Sequence, residues 1–325
     1  MAKKPQALVG GQAVIEGVMM RAPGGVATAV RRPDGSIAVR YDDHVPLTQR
    51  FLPFKLPILR GAVTLVESLF VGTGSLLYSA EEASKEEGQA THETSIWAKL
   101  GFGAVMLFSF ALGLGLFFYL PLILTDLTGI RNGVVYNLVD GVVRLVIFFL
   151  YLFAITRWGE MQRVFQYHGA EHMTIFNYEA EIPLTVENSR DRPRLHPRCG
   201  TSFLFFVMLV SIFVFATLGR PETVGERLIR IAFVPLIGGL SYEIIRASAK
   251  IENTWFGKML TAPGKGLQLM TTAIPDDTQL EVSVAALKVA LTGDLNAHEP
   301  DPELAARAAE VAARLNSPAA GESPA

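Results

Sequence analysis

The pentapeptide His168-Gly169-Ala170-Glu171-His172 sets two imidazoles four residues apart with a carboxylate between them. On a helix this spacing puts both rings on one face, and Glu171 lies three positions from His168. Two imidazoles so placed can hold one divalent ion, with the carboxylate as a third ligand or as a base acting on water. The same pattern matches the reversed zinc-protease signature, His-x-x-Glu-His. The bland alternative is a pair of histidines that merely hydrogen-bond beside a membrane surface.

A second run, His196-Pro197-Arg198-Cys199-Gly200, carries the one cysteine of the chain, so no intrachain disulfide can form. Neighbouring arginines favour a thiolate. His196 and Cys199 join His168 and His172 as candidate ligands, and a His/Cys set prefers zinc among the divalent metals. Four protein ligands would close a structural tetrahedron. If one is missing, or Glu171 replaces it, the site stays open for catalysis. Taken alone, Cys199 is equally readable as an inert buried thiol. A third run, Gly10 to Arg21, reads as a strand entering a tight turn, with Glu16 in an apolar setting. Glu16 is expected either to pair with Arg21 or to serve, like Glu171, as a functional carboxylate.

These residues must be positioned by a chain that is 50% hydrophobic and only 18% charged over 325 residues. Its mean hydropathy is +0.32. That balance excludes a disordered chain, and a net charge of -2 disfavours a nucleic-acid binder. It points instead to an α-helical integral membrane protein with about four transmembrane helices and a small β-containing cytosolic N-terminal region. Four apolar stretches are long enough to cross hydrocarbon: Phe102 to Leu124, Val134 to Ile155, Thr201 to Leu218 and Leu228 to Ile245. Asp140, Arg144, Arg230 and Glu243 fall inside them and are expected to face protein or water. A fifth stretch, Leu56 to Tyr78, contains Arg60 and Glu67 and is expected to be amphipathic or re-entrant.

Arginines and lysines crowd the loop between the second and third spans and the segment after the fourth. This places both termini and the central loop in the cytosol, in a multi-pass bacterial inner-membrane protein. No cleavable signal peptide is visible. The divisions expected are 1–55, β-rich; 56–100, amphipathic helix and acidic linker; and 101–250, the membrane domain with the site-bearing loop 156–200. A cytosolic segment, 251–292, and a helix with disordered tail, 293–325, complete the chain. Pro33-Asp34-Gly35-Ser36 marks a turn between β-prone runs at 26–31 and 37–41. Thr278 to Leu291 has helical apolar spacing, and Pro302 to Leu315 reads as an exposed helix. Gly101, Gly103, Gly113 and Gly115 are expected to let helices pack closely.

The segments GGQAVIEGVMMR, HGAEH and HPRCGTSF together resemble the bacterial YqhQ-like family, membrane proteins of unknown function described as predicted metal-dependent enzymes. The resemblance covers most of residues 8–285, including the TT-x-x-P element at Thr271 to Pro275. Met173 stands where the family pattern has a lysine, and Ala273-Ile274 where it has a charged pair. These departures touch a basic contact and not the ligands. The resemblance implies a metal and an enzymatic role but no substrate.

Three functions compete. One is a zinc-dependent hydrolase at the cytosolic membrane face, cutting a peptide bond or a lipid-linked ester. A second is a scaffold or assembly factor with a structural zinc. The third is an ion or solute transporter using the intramembrane charges. Membrane lipid is the expected surrounding, with further copies of the chain or other membrane proteins as partners.

Overall fold

The computed structural model describes residues 9–85, 96–251 and 254–315. The expected acidic linker at 86–95 and the tail after 315 lie outside these residues.

The chain begins with an antiparallel meander in the order β1 (Gly10–Val14), β2 (Gly17–Ala22), β3 (Gly24–Arg31) and β4 (Ile37–His44). Val14 pairs with Gly17, so only Ile15 and Glu16 form the first turn. Glu16, the second turn residue, takes a left-handed φ of 49° there, as a type II turn requires. The Pro33–Ser36 turn joins β3 to β4, in accord with the sequence pattern. The strand faces are distinct. Val18, Met20, Ala27 and Ala29 face one core, and Val14, Met19 and Val26 face another.

A short helix α1 (Leu47–Arg50) and a 3-10 turn at Leu52–Lys55 lead into α2 (Leu59–Ala83). This is one continuous helix of 25 residues, with no break of the kind a re-entrant segment needs. Its buried side is small and polar: Gly61, Glu67, Gly72, Ser75, Ser79 and Glu82. Ser75 accepts from the Thr28 hydroxyl at 3.0 Å, and Glu82 takes Arg32 at 2.6 Å. The opposite side leaves Val66, Leu69, Phe70 and Leu77 exposed. The helix therefore lays its start, at Gly61, on Tyr242 and Gly239 and the polar face beyond it on the sheet, with its apolar face outward.

α3 (Ile96–Leu114) runs through a π-helical turn at Gly115–Tyr119 into α4 (Leu120–Asp126). Pro121 lacks the N–H that regular helix would need here, which gives the π turn its local cause. There follow α5 (Gly133–Ile155), α6 (Gly159–Glu179), α7 (Val186–Arg190), α8 (Gly200–Leu218), α9 (Val224–Ala232) and α10 (Val234–Lys250). The chain closes with α11 (Trp255–Thr271), α12 (Asp277–Thr292) and α13 (Pro302–Leu315). Five helical stretches are long and apolar enough to cross a membrane: 59–83, 103–126, 133–155, 200–218 and 224–248. Four coincide with the stretches marked in the sequence, and the fifth is α2.

Two layers result. In the apolar bundle, α4, α5, α8 and α10 pack around Phe118, Leu122, Tyr136, Phe215 and Ile237. The glycines of α3 and the π turn do not serve that packing. A Cβ at Gly101, Gly103, Gly113 or Gly115 would meet nothing within 4 Å, among the described residues. The close approaches lie elsewhere, for instance where Gly239 of α10 meets the Ile58 carbonyl. In the other layer, α2 covers one face of the sheet, while α12 and α6 cover the other. α12 is buried on nearly every side, which its mixed sequence hides. Its Glu281 is reached by Arg31 at 2.6 Å, so a central helix is tied to the sheet by a buried ion pair. α13 crosses the 33–36 turn and is partly covered: Ala308 is buried, and a Cβ on Gly35 would strike the Ala305 carbonyl.

Candidate metal centre

The site is built on α6, whose residues from Phe165 to Asn177 are mostly buried. Gly169 explains how. A Cβ there would lie 2.1 Å from the Ala273 carbonyl, so only glycine lets the segment after α11 cross the helix. The Ala273 N–H bonds the Phe165 carbonyl at 2.8 Å and fixes that crossing. The crossing brings the Thr271 carbonyl to His168, which donates to it from Nδ1 at 2.7 Å.

His172 is held in the same way. Its Nδ1 donates to the Arg194 carbonyl at 2.5 Å. Arg194 is itself anchored by a bond from its guanidinium to the Thr272 carbonyl. A carbonyl only accepts, so each Nδ1 carries the proton and each Nε2 is left as a lone pair. The His168 Nε2 faces the Cys199 Sγ at 3.1 Å. The His172 Nε2 is buried and makes no hydrogen bond among the described residues, with the Cys199 sulfur as its neighbour. Cys199 caps α8, its sulfur taking the Thr201 N–H at 3.5 Å.

One ligand atom from each of His168, His172 and Cys199 can be chosen so that all lie within 4.8 Å of one another. Two nitrogen lone pairs and a thiol sulfur suit a tetrahedral zinc-type ion, with the outer ring nitrogens bonded as metal-bound imidazoles require. The orphaned Nε2 of His172 is the observation that a ligand there would satisfy.

Glu171 lines the same cavity, of about 380 Å³, whose other wall is β1 from Val9 to Ala13. Burial pushes its carboxyl up to about 7, against the opposing pull of His168 and the Gly11 N–H. Burial also holds the His172 imidazole below its usual value, aided by His168, while Cys199 and the Arg194 carbonyl oppose it.

Of the other two sequence candidates, His196 lines this cavity outside the ligand cluster, and Glu16 sits elsewhere. The His196 Nδ1 accepts the Arg198 N–H at 3.2 Å, and its Nε2 lies 3.4 Å from Glu179. Both ring nitrogens are engaged, so His196 stands beside the cluster and supplies no free lone pair. Glu16 lines a different cavity, where Arg163 grips it at 2.5 Å and Tyr167 donates to it at 3.1 Å. Its partner is Arg163 and not Arg21, because the hairpin turn points it at α6. Arg21 instead meets Glu67.

Residues not singled out in the sequence prove important for geometry. Gln268 bonds both the N–H and the carbonyl of His196, at 2.8 and 2.7 Å, and so fixes the loop leading to Cys199. A polar residue in the middle of an apolar helix was its only signal. The Thr271 and Arg194 carbonyls carry no sequence signal, because every residue has one.

The four charges within the apolar stretches all have partners. Arg144 bonds Asp140 at 2.8 Å and Ser211 at 3.2 Å. Arg230 reaches Asn137 and the Gly219 carbonyl, and Glu243 binds Arg60 at 2.6 Å.

The fold and site define a largely helical protein with membrane-compatible helices, an N-terminal antiparallel sheet and a His/His/Cys cluster between the two layers. The chain belongs to the family described as "Protein of unknown function (DUF1385)", whose profile matches residues 56–293. It is 33% identical over 291 residues to "Uncharacterized protein YqhQ" of Bacillus subtilis (strain 168), covering 85% of this chain and 89% of that protein. No solved structure matches.

Proposed function

We propose that the protein is a membrane-embedded, metal-dependent hydrolase working at the cytosolic face of the bacterial inner membrane. The observation that carries this reading is the convergence of two carbonyl-oriented Nε2 lone pairs and one thiol on a cavity that also contains Glu171. His168, His172 and Cys199 would hold the ion, and their donor set favours zinc. A divalent ion there would acidify water and polarise an acyl carbonyl. Glu171 is suited to receive a proton from water and return it to a leaving group, because burial sets its carboxyl near neutrality.

The three-ligand set favours catalysis over a structural clamp, since His196 is occupied by Arg198 and Glu179 and the fourth position stays open. The pairing of Asp140, Arg144, Arg230 and Glu243 counts against the transport reading. Four helices would cross the bilayer, with α2 lying at its surface, polar face to the sheet and apolar face to lipid.

The test is elemental analysis of the detergent-purified chain, followed by hydrolysis assays. One equivalent of zinc, lost in His168→Ala/His172→Ala, is expected. Glu171→Gln should keep the zinc and lose hydrolysis by about 100-fold or more. Absence of metal after zinc reconstitution overturns the proposal.

A further inference from the structure

β1 is the edge strand of the sheet, and among the described residues no strand pairs with its outer side. The two-residue turn fixes the alternation of its hydrogen bonds. Gly10, Gln12 and Val14 exchange bonds with β2, so Gly11 and Ala13 turn their N–H and C=O groups to the open edge. Gly11 is exposed, although its N–H reaches Glu171. Two cavities meet at this strand and share Val9 to Gln12. One holds His168, Glu171, His172 and Cys199. The other, of about 770 Å³, lies toward α2 and is lined by Met19, Arg21, His44 and Val71. Met19 and Val71 belong to the core on the face opposite Val18 and Met20, so the two cavities occupy opposite sides of the sheet.

From this juxtaposition we infer that the substrate is a peptide segment bound in extended form along the free edge of β1. A strand added there gains main-chain hydrogen bonds with the Gly11 carbonyl and with both groups of Ala13, the Gly11 N–H being held by Glu171. Its side chains alternate between faces, so successive residues enter the two cavities in turn. The in-plane carbonyls of the added strand then pass beside Glu171, which reaches the Gly11 end of this edge next to the His/Cys cluster. A lipid ester has no N–H and C=O ladder to use this edge. Cleavage needs only water: its hydroxyl joins the carbonyl carbon, the C–N bond breaks, and the proton taken by Glu171 goes to the leaving nitrogen. The inference rests on the hydrolase reading for its chemistry, but the docking is separable from it.

The experiment uses the full chain in detergent and fluorescein-labelled oxidised insulin B chain, an unstructured peptide. Binding is measured by anisotropy in EDTA and amide exchange by mass spectrometry. The peptide is expected to bind the metal-free chain and to slow exchange across residues 9–13. Ala13→Pro removes an edge donor without removing a bond to β2, as edge positions tolerate. It should weaken binding about tenfold, and Ala13→Gly should not. With zinc, wild type should cleave the peptide, while Glu171→Gln binds without cleaving. Exchange across residues 14–20 shows whether the hairpin survives in Ala13→Pro; if it does not, the wild-type exchange pattern decides alone. Cleavage or binding with unchanged exchange at 9–13 overturns the edge inference and leaves the hydrolase reading. No binding overturns it as well. Binding at the edge with no cleavage by the zinc-loaded chain overturns the hydrolase reading and leaves the edge inference standing.

Discussion

Two buried polar clusters in this protein differ in what they bond. In the bundle, Asp140, Arg144 and Ser211 bond one another, as Arg230 does Asn137, and they join α5, α8 and α9. In the site layer, His168 and His172 spend their Nδ1 atoms on backbone carbonyls and keep their Nε2 atoms directed at Cys199. The first cluster pairs its charges within the chain, although Asp140 Oδ1 and Arg144 Nε are left without partners among the described residues. The second is complete only on its outer side. A buried polar group left unbonded costs about 1–3 kcal/mol, and His172 Nε2, with only the Cys199 sulfur beside it, is such an atom on a ring whose other nitrogen a carbonyl fixes. The contrast separates charges that pair between helices from imidazoles that turn their second nitrogens toward one thiol.

The comparison is broken most sharply in the bundle. Arg144→Met leaves Asp140 buried without its cation, and should cost about 3–5 kcal/mol in thermal or denaturant unfolding. Asp140→Leu/Arg144→Met should recover most of that loss. No recovery would mean that the pair does more than hold α5 against α8.

A third cluster sharpens the same contrast in the sheet layer. Burial alone would raise the Glu281 carboxyl, but His298, Arg31 and the Asp301 N–H together bring it down to about 2. A folded-state value below the unfolded 4.5 stabilises the fold above that pH. The contribution, about 3 kcal/mol, is lost as pH falls from 4.5 toward about 2. Glu281→Gln should flatten acid unfolding over this window, as followed by tryptophan fluorescence.

In the His/Cys cluster the effect should appear in ligand affinity before stability. His172→Ala should weaken zinc binding by about 100-fold in a chelator competition. Its metal-free melting temperature should fall less than that of Arg144→Met. The smallest effect is expected at the support of the site. Gly169→Ala must displace the Ala273 carbonyl, at about 1–3 kcal/mol, and loosen the Thr271 contact to His168. Zinc affinity should drop about tenfold, as for other changes behind a metal ligand. An unchanged affinity would show that the crossing of α6 does not orient the ring.

Much of this molecule follows from local pattern. Apolar runs of membrane length with at most two charges favour long helices, and their bounds agree with α5, α8 and the paired α9–α10 stretch. Alternating β-prone runs around Pro33-Asp34-Gly35-Ser36 dictate β3 and β4, because the turn residues leave the chain few other conformations. The i,i+4 spacing puts His168 and His172 on one helical face wherever α6 lies. That much is periodicity, which neighbours in sequence decide among themselves.

Tertiary structure decided the rest. Cys199 joins the two histidines from 27 residues beyond His172 because Gln268 fixes its loop, whereas His196, three residues before it, turns to Glu179. Glu16 and Glu171 are both carboxylates in apolar sequence. Only the placement of α6 over the hairpin gives one to Arg163 and the other to the cavity. Leu59–Ala83 has the hydropathy of a span, yet the sheet claims its polar face. Residue type and spacing state what a side chain is able to do. Which partner reaches it first depends on contacts between distant segments, and local sequence does not encode those singly.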